Sequence, residues 1–148
     1  MDFIRVLPGI PKSKVKSRIV ISPIHAKTFM LALQDNIKKF ENAGVAAICI
    51  EDKTFPKQNS LLKNGSQQLI SEKEFVAKIL AAKDAKINTS FMVIARTEAL
   101  IAELGMKEAI QRANAYEKAG ADAILIHSKQ KTADEIIEIS ESWKGSIP

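Results

Sequence analysis

The chain of 148 residues has the length of one domain, with 46% apolar and 26% charged residues and a formal net charge of +5. No apolar run nears the roughly 20 residues that cross a bilayer, and lysines interrupt the start as a signal peptide. Its single cysteine excludes a disulfide framework or a cysteine metal cluster, so a cytoplasmic protein with no membrane partner is expected.

The basicity is local. Residues 1–39 hold eight of the 22 Lys and Arg against two acids, and the rest of the chain is close to neutral. A charge confined to one terminal segment, with lysines elsewhere scattered over solvated helix faces, argues against nucleic-acid binding. We therefore expect an atypical basic segment over residues 1–28 and a folded domain over 29–148.

From residue 29 the pattern alternates. "FMLALQDNIKKFENAG" carries Leu33, Ile37 and Phe40 at helical spacing and ends in Gly44, a natural C-cap. "VAAICIED" reads as a buried strand, with Cys49 inside it. Ser71 with Glu74 three residues on is a capping box opening the next helix, "SEKEFVAKILAAKDAK". "SFMVIART" is a second strand, "GMKEAIQRANAYEKAG" a helix closed by Gly120, and "ADAILIHS" a third strand. A last helix, "TADEIIEISESWKG", is expected to be capped by Thr132 and anchored by Trp143.

"FENAGVAAICIED" and "YEKAGADAILIHS" are near-repeats of one helix–Gly–strand unit. Alternating helix and apolar strand implies a parallel sheet with right-handed crossovers. Polar residues gather just past the strands: Glu51 and Asp52, Arg96 and Glu98, His127 and Ser128. Barrels assemble their sites from such strand ends, and no strand is followed by a glycine-rich phosphate loop, so a (β/α)8 barrel is favoured over a dinucleotide-binding sheet. Three strands are a fragment of such a barrel, which takes about 250 residues to close. Open strand edges in such a fragment predict poor solubility.

Residue by residue, the chemistry stays open. A strand-end acid such as Glu51 can simply pair with a lysine, and a lone histidine after an apolar strand is commonly structural. Arg96 is hard to bury without a carboxylate, and Glu98 is the candidate partner. Asp52, Lys53 and Cys49 read as structural.

Three blocks narrow this. "GVAAICIEDKTFPKQNS", "VIARTEALIAELG" and "AYEKAGADAILIHSKQKT", in that order, resemble the phosphoenolpyruvate mutase branch of the isocitrate lyase superfamily from about residue 30 onward. The E-D-K-x-F-P-K-x-N-S pattern is the most specific part. Carbon–carbon lyases of the superfamily carry a catalytic cysteine in this loop, whereas "PKQNS" has none.

The resemblance implies interconversion of phosphoenolpyruvate and phosphonopyruvate. Its alternatives are hydrolysis of phosphonopyruvate to pyruvate and phosphate, or a catalytically inactive binding module of the same fold. It implies catalytic roles for Lys57, Asn59 and Ser60 on a closing loop, with asparagine at 59 as in the mutases. It also implies substrate binding by Arg96, His127, Ser128 and Leu61, and a metal role for Glu51 through a water on Mg2+. A homo-oligomer is the family's habit.

The sequence departs from the family where a D-x-D metal motif is due. Those positions fall on Ser22 and Ile24, so the direct Mg2+ ligand is missing, and a truncated or frame-disrupted enzyme is expected.

Overall fold

The computed structural model describes residues 2–4, 15–18, 23–55, 57, 59, 60 and 67–148, with side chains from Leu31 onward. Two short strands, β1 (Asp2–Ile4) and β2 (Val15–Arg18), pair antiparallel with each other. The remainder alternates helix and strand: α1 (Pro23–Asn42), β3 (Ala47–Glu51), α2 (Glu72–Ala85), β4 (Met92–Thr97), α3 (Met106–Lys118), β5 (Ala123–Ile126) and α4 (Asp134–Ser142). Strands β3, β4 and β5 form one parallel sheet in that order. The expected α/β pattern with three parallel strands is what the chain adopts.

Local chemistry explains most boundaries. Gly44 and Gly120 follow α1 and α3 with φ of 77° and 92°, a left-handed turn that only glycine adopts without strain. The N–H groups of Val45 and Ala121 reach back to the carbonyls of Phe40 and Tyr116 and close the two helix ends. Ser71 caps α2, its Oγ accepting from the Glu74 N–H at 3.2 Å.

Two expectations fail. Thr132 does not cap α4: the cap position is Ala133, and the Thr132 hydroxyl donates instead to Asp134 Oδ2 at 2.8 Å. Helix α1 starts at Pro23, ahead of residue 29, because a proline suits the first helical position, where its missing N–H goes unused. The β1–β2 pair was not expected either, since strands of three and four residues are too short to show an alternating pattern.

The core lies on one face of the sheet. Ile48 and Ile50 of β3 and Val93 and Ala95 of β4 meet Ile37 of α1 and Phe75, Ile79, Ala82 and Ala85 of α2. Tyr116 of α3 meets Phe75 edge-on with ring centroids 4.6 Å apart, a geometry worth about 0.5–1.5 kcal/mol beyond simple burial. Side chains alternate along a strand, so Cys49, Met92 and Leu125 point to the opposite face, where they are exposed. Cys49 is therefore not the buried residue expected, because no helix covers its side of β3 among the described residues. No described helix is long and apolar enough to cross a membrane.

Candidate active site

Parallel strands bring their C-terminal ends to one edge, and the register places Glu51 beside Arg96, with Thr97 beside Ile126. Glu98 follows β4 and His127 follows β5, so the polar groups just past each apolar run converge there. Alternation puts Glu51, Arg96 and Glu98 on the face away from the helices.

Glu98 is the hub. Its side chain is fully buried, and its Oε1 accepts from Nε of Arg96 at 2.5 Å, has Nη2 in ion-pair contact at 2.5 Å and faces His127 Nδ1 at 2.9 Å. Its Oε2 accepts from Ser60 Oγ at 2.7 Å, and Lys53 Nζ lies 3.3 Å away. Burial pushes the carboxyl upward, but the hydrogen bonds from Ser60 and Arg96, the contact with His127 and the Arg96 charge outweigh it and hold its pKa down at about 2. The carboxylate that Arg96 required is thus Glu98. Arg96 Nε also lies 3.6 Å from Glu51, whose carboxylate pairs with Lys57 Nζ at 2.9 Å.

Beneath this cluster sits a second buried carboxylate. Asp52 accepts from the backbone N–H of Glu98 at 2.9 Å, Thr97 Oγ1 at 3.0 Å, Tyr116 OH at 2.7 Å and Arg112 Nη1 at 3.2 Å. Burial and the Asp52 charge raise the Tyr116 pKa and keep the hydroxyl a donor. Arg112 also donates to Glu108 at 2.8 Å and to the Ile70 carbonyl at 3.0 Å. The structural role expected of Asp52 matches this arrangement: it fastens the turn carrying Glu98 onto α3.

The candidate residues are not all gathered together. Glu51, Lys57, Ser60, Arg96 and His127 join one network through Glu98 and the Glu51 pairs. Asn59 lies on the same loop, its carbonyl accepting from Gln67 Nε2 at 3.1 Å. Ser128 turns away, its hydroxyl donating to Glu135 of α4, because consecutive residues past a strand point to opposite sides. Leu61 lies outside the described residues.

Glu98 and Lys53 belong to the cluster although the sequence reading assigned neither to the site. The i, i+2 spacing of Arg96 and Glu98 was the available signal, since it puts both on one strand face.

As a metal site the cluster is incomplete. Among the described residues no three His, Cys, Asp or Glu are grouped to hold an ion. Glu51 is one carboxylate already paired with Lys57 and near Arg96, which suits holding a metal-bound water more than direct ligation.

Known proteins resemble this chain in sequence and in fold. The family model described as phosphoenolpyruvate phosphomutase matches residues 28–148, and a model of a protein of unknown function (DUF3467) matches residues 1–45. The chain is 55% identical over 112 residues to phosphonopyruvate hydrolase of Variovorax sp. (strain Pal2), covering 76% of this chain and 39% of that protein. The solved phosphoenolpyruvate phosphomutase of Streptomyces platensis subsp. rosaceus superposes with a TM-score of 0.76 at 44% identity, over 80% of this chain and 41% of that one. A crystal structure of phosphonopyruvate hydrolase with oxalate and Mg++ gives 0.71 at 50% identity, over 80% and 40%.

The chain thus spans about two fifths of the length of these relatives. Its three parallel strands and their helices form part of a (β/α)8 barrel of the isocitrate lyase superfamily type. With the family model matching most of its length, the chain belongs to the phosphoenolpyruvate phosphomutase family.

Proposed function

We propose that the protein is a phosphoenolpyruvate mutase-like enzyme interconverting phosphoenolpyruvate and phosphonopyruvate, of which residues 29–148 contribute one side of the barrel and residues 1–28 are a basic segment whose last residues open α1. The observation that carries this reading is the cluster at the strand ends, where Arg96 and His127 stand together on Glu98 beside a loop bearing Lys57, Asn59 and Ser60. Moving a phosphoryl group demands positioned cations and donors more than covalent partners. Arg96 and His127 would hold the phosphonyl oxygens, while Lys57 and Asn59 on the loop would keep water from the transferring group.

Mg2+ fits this reading only in part. Glu51 would hold a metal-bound water, the direct carboxylate ligands would come from the rest of the barrel, and the ion would supply charge on the substrate's carboxylate and carbonyl oxygens. A cytoplasmic homo-oligomer is the setting we propose.

A second reading is supported by the 55% identity to a phosphonopyruvate hydrolase, namely release of pyruvate and phosphate. The two are separated by phosphorus NMR on phosphonopyruvate with Mg2+, using the full chain and a chimera carrying residues 47–128 within the Variovorax hydrolase. Phosphoenolpyruvate as product supports mutase, and free phosphate supports hydrolase. Binding without turnover by both proteins would leave a binding module. A chimera that neither binds nor turns over phosphonopyruvate, though folded, would sink the proposal.

A further inference from the structure

The ring of His127 stands between two groups of opposite hydrogen-bonding character. Nδ1 lies 2.6 Å from Arg96 Nη2 and 2.9 Å from Glu98 Oε1. A guanidinium nitrogen only donates, and an ionised carboxylate only accepts. One ring nitrogen cannot satisfy both. A bare Nδ1 accepts from Arg96 and turns its lone pair on Glu98, whereas a protonated Nδ1 donates to Glu98 and turns its proton on Arg96. In the neutral ring, whichever state Nδ1 takes fixes the opposite state at Nε2.

The surroundings decide between the two states. Glu98 Oε1 already accepts from Arg96 Nε at 2.5 Å and has Nη2 of the same guanidinium in ion-pair contact at 2.5 Å, so this oxygen is well supplied with positive charge before the ring arrives. Glu98 Oε2 is engaged separately by Ser60 and Lys53. Arg96 Nη2 has a second hydrogen, and the Nη2–Nδ1 separation is shorter than the Nδ1–Oε1 one. The donor is available and nearer, and the acceptor is already occupied by the guanidinium.

We propose that Arg96, gripped by Glu98, holds neutral His127 as the tautomer with its proton on Nε2, which makes the ring a hydrogen-bond donor toward an anionic oxygen above the strand ends. Glu98 is then a positioning residue: it acts on a ligand only through Arg96 and His127. The use of that donor rests on the phosphonyl-binding reading above, but the tautomer itself does not.

The test is nitrogen-15 NMR on the full chain without substrate, in a His25→Gln background that leaves His127 as the single histidine. Long-range proton–nitrogen correlations at a pH where the ring is neutral should show the Nε2–H pattern. A coupling across the hydrogen bond between Arg96 Nη2 and His127 Nδ1 should accompany it. Arg96→Lys removes the Nη2 donor and keeps the charge, so the ring should turn its Nδ1–H to Glu98 and the tautomer ratio should reverse. Glu98→Gln should keep the Nε2–H form. An Nδ1–H ring in the unmodified cluster overturns the proposal, and so does a folded Arg96→Lys variant with the ratio unchanged. If Arg96→Lys does not fold, the coupling in the unmodified cluster decides alone, its absence being fatal. Because no substrate is present, failure here is distinct from failure of the proposed activity.

Discussion

Ser60 Oγ donates to Glu98 Oε2 across 2.7 Å, joining the loop after β3 to the residue that follows β4. The same oxygen accepts from Lys53 Nζ at 2.6 Å. Lys53 Nζ donates to the serine and also lies 3.3 Å from the Glu98 carboxylate, so it stands to Ser60 as a donor. Ser60 is a fastener for its loop, not an activated nucleophile. Ser60→Ala should cost about 1.5–3 kcal/mol in urea unfolding, the range for a hydrogen bond to a charged group, and should speed proteolysis within the loop. An unchanged urea midpoint together with unchanged cleavage would show that the bond does not hold the loop.

Glu98 also sets a pH dependence. Its pKa in the folded chain, about 2, lies below the ordinary value of 4.5, so it binds protons less readily folded than unfolded. Its contribution is therefore fully present above about pH 4.5 and is lost as pH falls toward 2. Urea titrations across that window should show the parent losing stability more steeply than Glu98→Gln. Parallel curves would mean that the carboxylate has no special pairing.

Tyr116 and Arg112 share the Asp52 carboxylate, and their removal should differ in size. Tyr116→Phe deletes one donor and leaves Asp52 three others, so a loss of about 1–2 kcal/mol is expected. Asp52→Ala leaves Arg112 buried without that carboxylate and should cost about 3–5 kcal/mol, enough to unfold a marginal chain. Equal melting temperatures for the two variants would contradict the arrangement.

Helix caps give a clean contrast. Ser71→Ala should lower stability by about 1 kcal/mol, since it removes the bond to the Glu74 N–H. Thr132→Ala should change it by no more than about 0.5 kcal/mol, because Thr132 caps nothing. Thermal melts of both settle the point, and a larger loss at Thr132 would be the contrary outcome.

Lys57 is exposed by 57% and pairs with Glu51 at the surface. Lys57→Ala should shift stability by no more than about 1 kcal/mol. In the chimera with the Variovorax hydrolase it should nonetheless reduce turnover of phosphonopyruvate, if the loop serves the substrate. Full activity of that chimera would remove Lys57 from the proposed machinery.

The helices, the strands and their polar ends were legible in the sequence because each signal is local. Gly44 and Gly120 stop helices wherever they occur, and the Ser71–Glu74 spacing announces a start. Thr132 misled because a hydroxyl near a helix start also has Asp134 as an acceptor. Arg96 with Glu98 was legible as a pair, since a charged residue after an apolar strand needs a partner. That Glu98 also holds Ser60, Lys53 and His127 was not legible, because these contacts join residues from three separate stretches of chain. Cys49 was misread for a similar reason: an apolar run predicts burial without saying which face of the strand is covered.

That uncovered face gives the molecule a reporter. Cys49 is the only thiol in the chain, and it sits on the side of β3 that a barrel interior would occupy. A thiol reagent should therefore label the folded chain without denaturant. Whatever comes to cover the sheet, whether further strands or another polypeptide, should slow that labelling before any catalysis can be measured. The rate at which Cys49 reacts is a direct gauge of barrel closure.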